Sequence, residues 1–204
     1  MGCAAATGNL AVGGWVLRAG PGAGLVATQG KAVSHLWGDT ALRSLAGGMN
    51  AAEVVDSLVK PDTGADYRQL LVLDANGASA AWTGSGNHDV KGHILEDNLA
   101  VGGNWLANDQ VLATLKSACL ASDGTMAERL LKSLKIAMQE GSDIRGTLSA
   151  AIKVVSPRSP TLDLRIDSSP SPIQDLTALY DKTFSTEYTD FLAHLPTLEE
   201  PYRY

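Results

Sequence analysis

The residues of this chain able to do chemistry fall into a few short groups, and their spacing limits what each could support. Thr28 and Gln29 close the apolar run Leu25-Val26-Ala27 just before Gly30. At a strand end such side chains either satisfy backbone groups or point into a cleft at the sheet's edge. Asp143 and Arg145 follow a helix end and precede a strand, while Arg165 and Asp167 share one face of the alternating stretch 161–167. Two carboxylates and two guanidiniums on partner strands could hold a polar ligand as one cluster, or simply pair at a solvated edge. His88, Asp89, His93 and Asp97 are metal-ligand types in no metal-defining spacing, so no metal is expected. Ser34 stands beside His35, but adjacency does not set an imidazole against a hydroxyl, and Ser34 reads as a helix cap. Gly20, Gly22 and Gly24 resemble a phosphate loop only superficially, because they lie between two strands rather than between strand and helix.

The elements that must position these groups follow from apolar period and punctuation. Residues 10–18 and 25–29 read as two strands reversed by the glycine turn. Leu36, Trp37, Ala41, Leu42 and Leu45 then form a helical stripe over about residues 34–47, closed by Gly47 and Gly48. Asn50 with Glu53 caps a second helix that stops at Pro61. Residues 69–74 and 78–82 make a second hairpin, residues 83–98 read mainly as loop, and residues 99–102 as a short strand. Asn108 opens a helix, Thr125 with Glu128 caps the next over about 125–140, and residues 147–155 and 161–167 form a third hairpin. Ser171 and Pro172 start a closing helix, which a second apolar group at Tyr188 and Phe191 either continues or follows.

Strands in hairpin pairs and helices in pairs predict an α+β fold with two mainly antiparallel sheets packed face to face between helix layers, a four-layer αββα sandwich. Val12, Trp15, Leu25, Leu71, Leu73, Ile152, Leu162 and Leu164 are its expected core positions. With no repeat or linker, residues 1–195 read as one domain and residues 196–204 as a surface tail.

Composition narrows the function. The net charge of -6, without a basic run, argues against a nucleic-acid partner. No secretory leader and no apolar run of membrane-spanning length is present, so the expectation is a cytoplasmic protein with no membrane partner. No cofactor is expected. The two cysteines, Cys3 and Cys119, read as free thiols. Residues 2–7 look like a strand from the outset, as though an upstream strand were absent, so a sheet edge there should be exposed or unusually covered. Self-association into a homo-oligomer would hide that edge.

Six ordered strings carry a resemblance: Ala6-Thr7-Gly8-Asn9-Leu10-Ala11-Val12-Gly13, Leu25-Val26-Ala27-Thr28-Gln29, Tyr67-Arg68-Gln69-Leu70, Gly103-Asn104-Trp105, Ser142-Asp143-Ile144-Arg145-Gly146 with Ser149-Ala150-Ala151, and Leu162-Asp163-Leu164-Arg165-Ile166-Asp167. Together they resemble the bacterial family called domain of unknown function 1028, over about residues 2–180. That family is similar to the N-terminal nucleophile (Ntn) hydrolases, which implies the αββα sandwich and an amidohydrolase acting on a small amide. The alternative is a non-catalytic relative that keeps the cleft to bind a small molecule. The resemblance adds Arg68, Gln69 and Asn104 to Gln29, Asp143, Arg145, Arg165 and Asp167 as ligand-contacting candidates, with Asn104 an oxyanion-type donor. Family members resemble chains that begin one strand earlier, and Ser168 and Ser169 stand where they carry acidic and histidine residues.

Ntn chemistry uses a terminal Thr, Ser or Cys whose own α-amine, of pKa ~8, acts as general base. Cys3 is the residue near this terminus that could serve, once Met1 and Gly2 were removed; otherwise it is a small buried thiol. Thr28 is the internal alternative.

Overall fold

The computed structural model describes residues 1–204 as an α+β protein in which every strand pair is antiparallel. Strands β1 (Gly2–Thr7), β8 (Ser149–Ser156) and β9 (Ser159–Ile166) form one sheet, in the order β1-β8-β9. Strands β2 (Leu17–Gly20), β3 (Gly24–Gln29), β4 (Gln69–Asp74) and β5 (Ser79–Thr83) form a second in chain order. Strands β6 (Gly92–Glu96) and β7 (Leu99–Gly103) make a separate hairpin, so there are three sheets where two were expected.

Alternation decides what each sheet face meets. Val26, Leu70 and Val72 pack with Trp37, Ala41 and Leu45 of α2 (His35–Ala46) and with Ala51, Val54 and Val55 of α3 (Ala51–Val59). Ala150, Ile152 and Leu164 pack with Ala127, Leu131 and Leu134 of α5 (Met126–Gln139) and with Ile173, Leu176 and Tyr180 of α6 (Pro172–Lys182). A third apolar group, Val12, Val16, Leu17 and Ala151 with Cys3, Ala5 and Ala27, joins the opposite faces of β1, β2, β3 and β8. The capping boxes at Asn50/Glu53 and Thr125/Glu128 both form, each side chain accepting from the backbone N–H that the other's spacing predicts. Helix α4 (Gln110–Ala121) packs on α5 and on the β6–β7 hairpin. Helix α7 (Thr186–Ala193) buries no side chain fully, and the tail is tied back through Glu199 N–H to the Pro157 carbonyl.

Two further expectations need correction. Residues 10–18 are not one strand: Val12–Trp15 forms a helical turn, α1, and only Leu17 onward is extended. The cause is tertiary. Ala11 takes a left-handed φ of 57°, Ser149 Oγ receives the Val12 N–H at 3.1 Å, and a Cβ on Gly13 would lie 2.9 Å from the Ala151 Cβ. The turn throws Trp15, an expected core residue, to the surface at 52 % exposure. Residues 83–98, read mainly as loop, contain β6, whose ladder to β7 outweighs a composition poor in β-branched residues.

Candidate functional site

The site is built around the end of β1. Past α5, Ser142 takes a left-handed φ of 47°, and Asp143 lies opposite Leu106 in an isolated bridge. Its carboxylate is almost sealed, with the side chain 7 % exposed, and both oxygens are in use. Oδ2 accepts from Gly8 N–H at 2.9 Å, Thr7 Oγ1 at 3.2 Å and Arg145 Nη2 at 2.6 Å; Oδ1 accepts from Arg145 N–H at 3.0 Å and Nε at 2.9 Å. Gly8 is required by this approach, because a Cβ there would sit 2.6 Å from the Gly146 carbonyl oxygen. Arg145 also donates to Thr7 Oγ1 at 3.2 Å and lies 4.6 Å from the Trp105 ring centre.

Charge follows this geometry. Burial alone would push the Asp143 carboxyl up, but hydrogen bonds from Arg145 and from the Gly8 amide, with the guanidinium charge, hold it below the ordinary carboxylate range. Arg145 is held above its ordinary value chiefly by its hydrogen bonds to Asp143. The pair is a fixed, neutralised dipole with one guanidinium face against an indole.

Thr7, Asp143 and Arg145 are among the polar residues that line a cavity of about 660 Å³, with Asn9, Gln29, Lys31 and Asn104. Its walls are the whole of β1, Leu25, Ala27, Leu71 and Leu73 of the four-stranded sheet, strand β7, and the facing sides of α4 and α5. The volume and apolar lining are those of a small-molecule pocket.

The sequence candidates divide around it. Cys3, Gln29, Asn104, Asp143 and Arg145 line the cavity. Cys3 sits in the ladder opposite Lys153, and burial pushes its thiol up to about 12, so it is a neutral thiol at physiological pH. Gln29 Nε2 donates to Gln69 Oε1 at 2.6 Å. Gln69 is fully buried and its amide nitrogen reaches Thr83 Oγ1 at 2.8 Å and the Gly92 and Gly103 carbonyls at 2.8 and 3.1 Å. It fastens the β6–β7 hairpin to the four-stranded sheet. Thr28 is buried on the other face, with its methyl 3.2 Å from a Cβ built at Gly38, and its hydroxyl has no hydrogen-bond partner. Arg68 is engaged with Asp62 at 2.8 Å and the Ala32 carbonyl at 2.7 Å. Arg165 pairs with Asp167 at 2.8 Å and lies under Gly13 and Gly14. The four charges read as one possible cluster are thus two separate pairs. Ser34 caps α2, and His93 Nδ1 lies 2.8 Å from Thr83 Oγ1. Sequence reasoning missed Thr7, Gly8 and Trp105 as parts of the site, although all three lie inside the strings that carried the resemblance.

The family model of the family of unknown function DUF1028 matches residues 1–176. The chain belongs to that family. This DUF1028 member is similar to a protein of Silicibacter pomeroyi whose crystal structure is described by the same family model, with 41 % identity over 99 % of this chain and 91 % of that one and a TM-score of 0.93. No curated protein matches it.

Proposed function

We propose that this DUF1028 chain is a single domain over residues 1–195 with the αββα layering of the Ntn hydrolases, and that it binds a small molecule in the cavity between its sheets without hydrolysing it. The order α2/α3, four-stranded sheet, three-stranded sheet, α5/α6 supports the layering, since each sheet has helices on one face and the third apolar group on the other. The observation that carries the function is the cavity of about 660 Å³, mostly apolar in its lining, with the bonded group Thr7, Asp143 and Arg145 among its polar residues. Such a lining takes a largely apolar guest that carries hydrogen-bonding groups. Titration with an anilinonaphthalene sulfonate dye tests it: binding to the native protein that is weakened about tenfold in Arg145→Ala supports the reading, and no binding to the folded protein overturns it.

A second reading, amidohydrolysis with Cys3 as nucleophile, draws on the position of Cys3 in the cavity wall. Its thiol must first lose a proton that burial holds to about pH 12, and Met1 N is engaged with the Val155 carbonyl at 3.0 Å. Alkylation by iodoacetamide at pH 8 should therefore run roughly a thousandfold slower at Cys3 than at a free cysteine. Rapid alkylation of Cys3, with amide turnover abolished in Cys3→Ala, would restore the enzyme reading.

A further inference from the structure

We propose that the guest of this cavity carries a hydrogen-bond donor, a hydroxyl or an N–H, because Gln29 is held so that its amide oxygen is left for the guest, with Gln69 as the positioning residue that sets this polarity. The inference rests on the cavity being the binding site and names the class of ligand that the site selects.

The polarity is decided behind the cavity wall. One end of the Gln69 side-chain amide lies 2.8 Å from the carbonyl of Gly92, at the start of β6, and 3.1 Å from that of Gly103, at the end of β7. Carbonyl oxygens only accept, so this end is Nε2. Turning the amide over would set an oxygen against both carbonyls, and Gln69 is fully buried in a strand bonded on both sides, out of reach of solvent. Oε1 of Gln69 is thereby fixed on the opposite side. There it meets Gln29, its cross-strand partner in the β3–β4 ladder, at 2.6 Å. An oxygen in that place needs a donor, so Gln29 gives its Nε2 to Gln69 and keeps its own Oε1 free.

Gln29 lines the cavity and Gln69 does not. The bond to Gln69 is the one hydrogen bond of the Gln29 side chain, so what Gln29 offers a guest is an acceptor whose polarity is fixed. Asn104 also lines the cavity, but no hydrogen bond holds its amide, and it can turn either end to a guest. A guest with a hydroxyl or an N–H pairs with the Gln29 oxygen. A guest that only accepts, such as an ether, an ester or a tertiary amide, leaves that oxygen unpaired in a mostly apolar lining and sets a second lone pair against it. The second Nε2 proton of Gln29 remains for an acceptor, so groups that both donate and accept, a hydroxyl or a primary carboxamide, are favoured further. Sites that hydrogen-bond a hydroxyl or N–H reject the analogue lacking it far more strongly than apolar pockets reject a change of size.

The test uses the full chain and displaces the anilinonaphthalene sulfonate dye with two pairs of isomers: 1-octanol against heptyl methyl ether, and octanamide against N,N-dimethylhexanamide. In the native chain the donor of each pair should displace the dye at a concentration about tenfold below that of its isomer. In Gln29→Met, which keeps the length of the side chain and removes its amide, that ratio should fall to about twofold or less, a change that a loss of packing alone would not produce. Gln69→Met frees Gln29 to turn its N–H to the guest, so the ether and the tertiary amide should then compete as well as their isomers. If that buried change prevents folding, Gln29→Met carries the test alone. Isomers of equal strength in the native chain, or a donor preference that persists in Gln29→Met, would overturn the inference and leave the cavity reading standing on the dye. A donor preference unchanged in folded Gln69→Met would remove the positioning role. No dye binding to the folded native protein would overturn the inference and the cavity reading together.

Discussion

Strands β4 and β1 are both six residues long and both carry helices over one face, yet they end in opposite states. Strand β4, Gln-Leu-Leu-Val-Leu-Asp, is bonded on both sides, and its Leu70 and Val72 are fully buried. Strand β1, Gly-Cys-Ala-Ala-Ala-Thr, is bonded on one side, and all six of its residues are only half-buried. Large side chains close the first environment. Small ones let α5 approach the second, where a Cβ on Gly2 would already lie 2.6 Å from Met126, while the open edge leaves the cavity beside it. One strand is closed in by packing and pairing, and the other borders open space.

The sharpest way to break this contrast is to remove equal side chains from the two halves. Leu70→Ala should cost about 3 to 4 kcal/mol, because its surroundings are packed on all sides and cannot collapse. Leu115→Ala, from a half-buried residue of the cavity wall, should cost under about 1 kcal/mol and alter dye binding instead. Urea denaturation measures both, and equal losses would mean that the cavity is not open in solution.

The bonded group at Asp143 comes next in size. Asp143→Ala leaves the Gly8 amide and Arg145 without their acceptor; with Arg145 36 % exposed, solvent screening discounts the loss to about 2 kcal/mol. The pH dependence has a definite sign. The folded carboxyl titrates below its ordinary value, so its stabilisation is full above ~4 and fades as pH falls through the lower folded value. Asp143→Asn should flatten that acid limb in thermal melts between pH 2 and 5, whereas an unchanged limb would place the titrating group elsewhere. Gly8→Ala should act in the same direction by about 1 to 2 kcal/mol, since its Cβ forces Gly146 away and stretches the Gly8 bond to Asp143.

What could be read from the sequence was what neighbours in the chain decide. The boxes at Asn50 and Thr125, the β4–β5 turn and the alternation of β9 are local devices, and each occurs where its residues put it. Residues 10–18 failed as a strand because Ser149, Ala151 and Arg165, more than 130 positions away, bend the chain at Ala11 and press on Gly13. Asp143 and Arg145 stood out as charges, but their partner Gly8 is 135 positions distant, and nothing in the string that holds it tells which residue it meets. The cavity is a spacing between sheets, and no string of residues encodes it directly.

The smallest expected effect concerns whether the two charge pairs act as one site. Arg165 of β9 and Asp167 just beyond its end are a pair, 37 % and 55 % exposed, and neither lines the cavity, whereas Asp143 and Arg145 do. An exposed pair of this kind is worth about 0.5 kcal/mol or less, because water screens it and holding two side chains in one geometry costs entropy. Asp167→Ala should therefore move stability by no more than that and leave dye affinity within about twofold. The decisive measurement is the double-mutant cycle of Asp167→Ala with Asp143→Ala. Two pairs with no shared partner should add within about 0.5 kcal/mol in urea denaturation. A larger coupling would mean that Arg165 reaches the Asp143 carboxylate in solution, and the bonded group at Asp143 would then contain four charges rather than two.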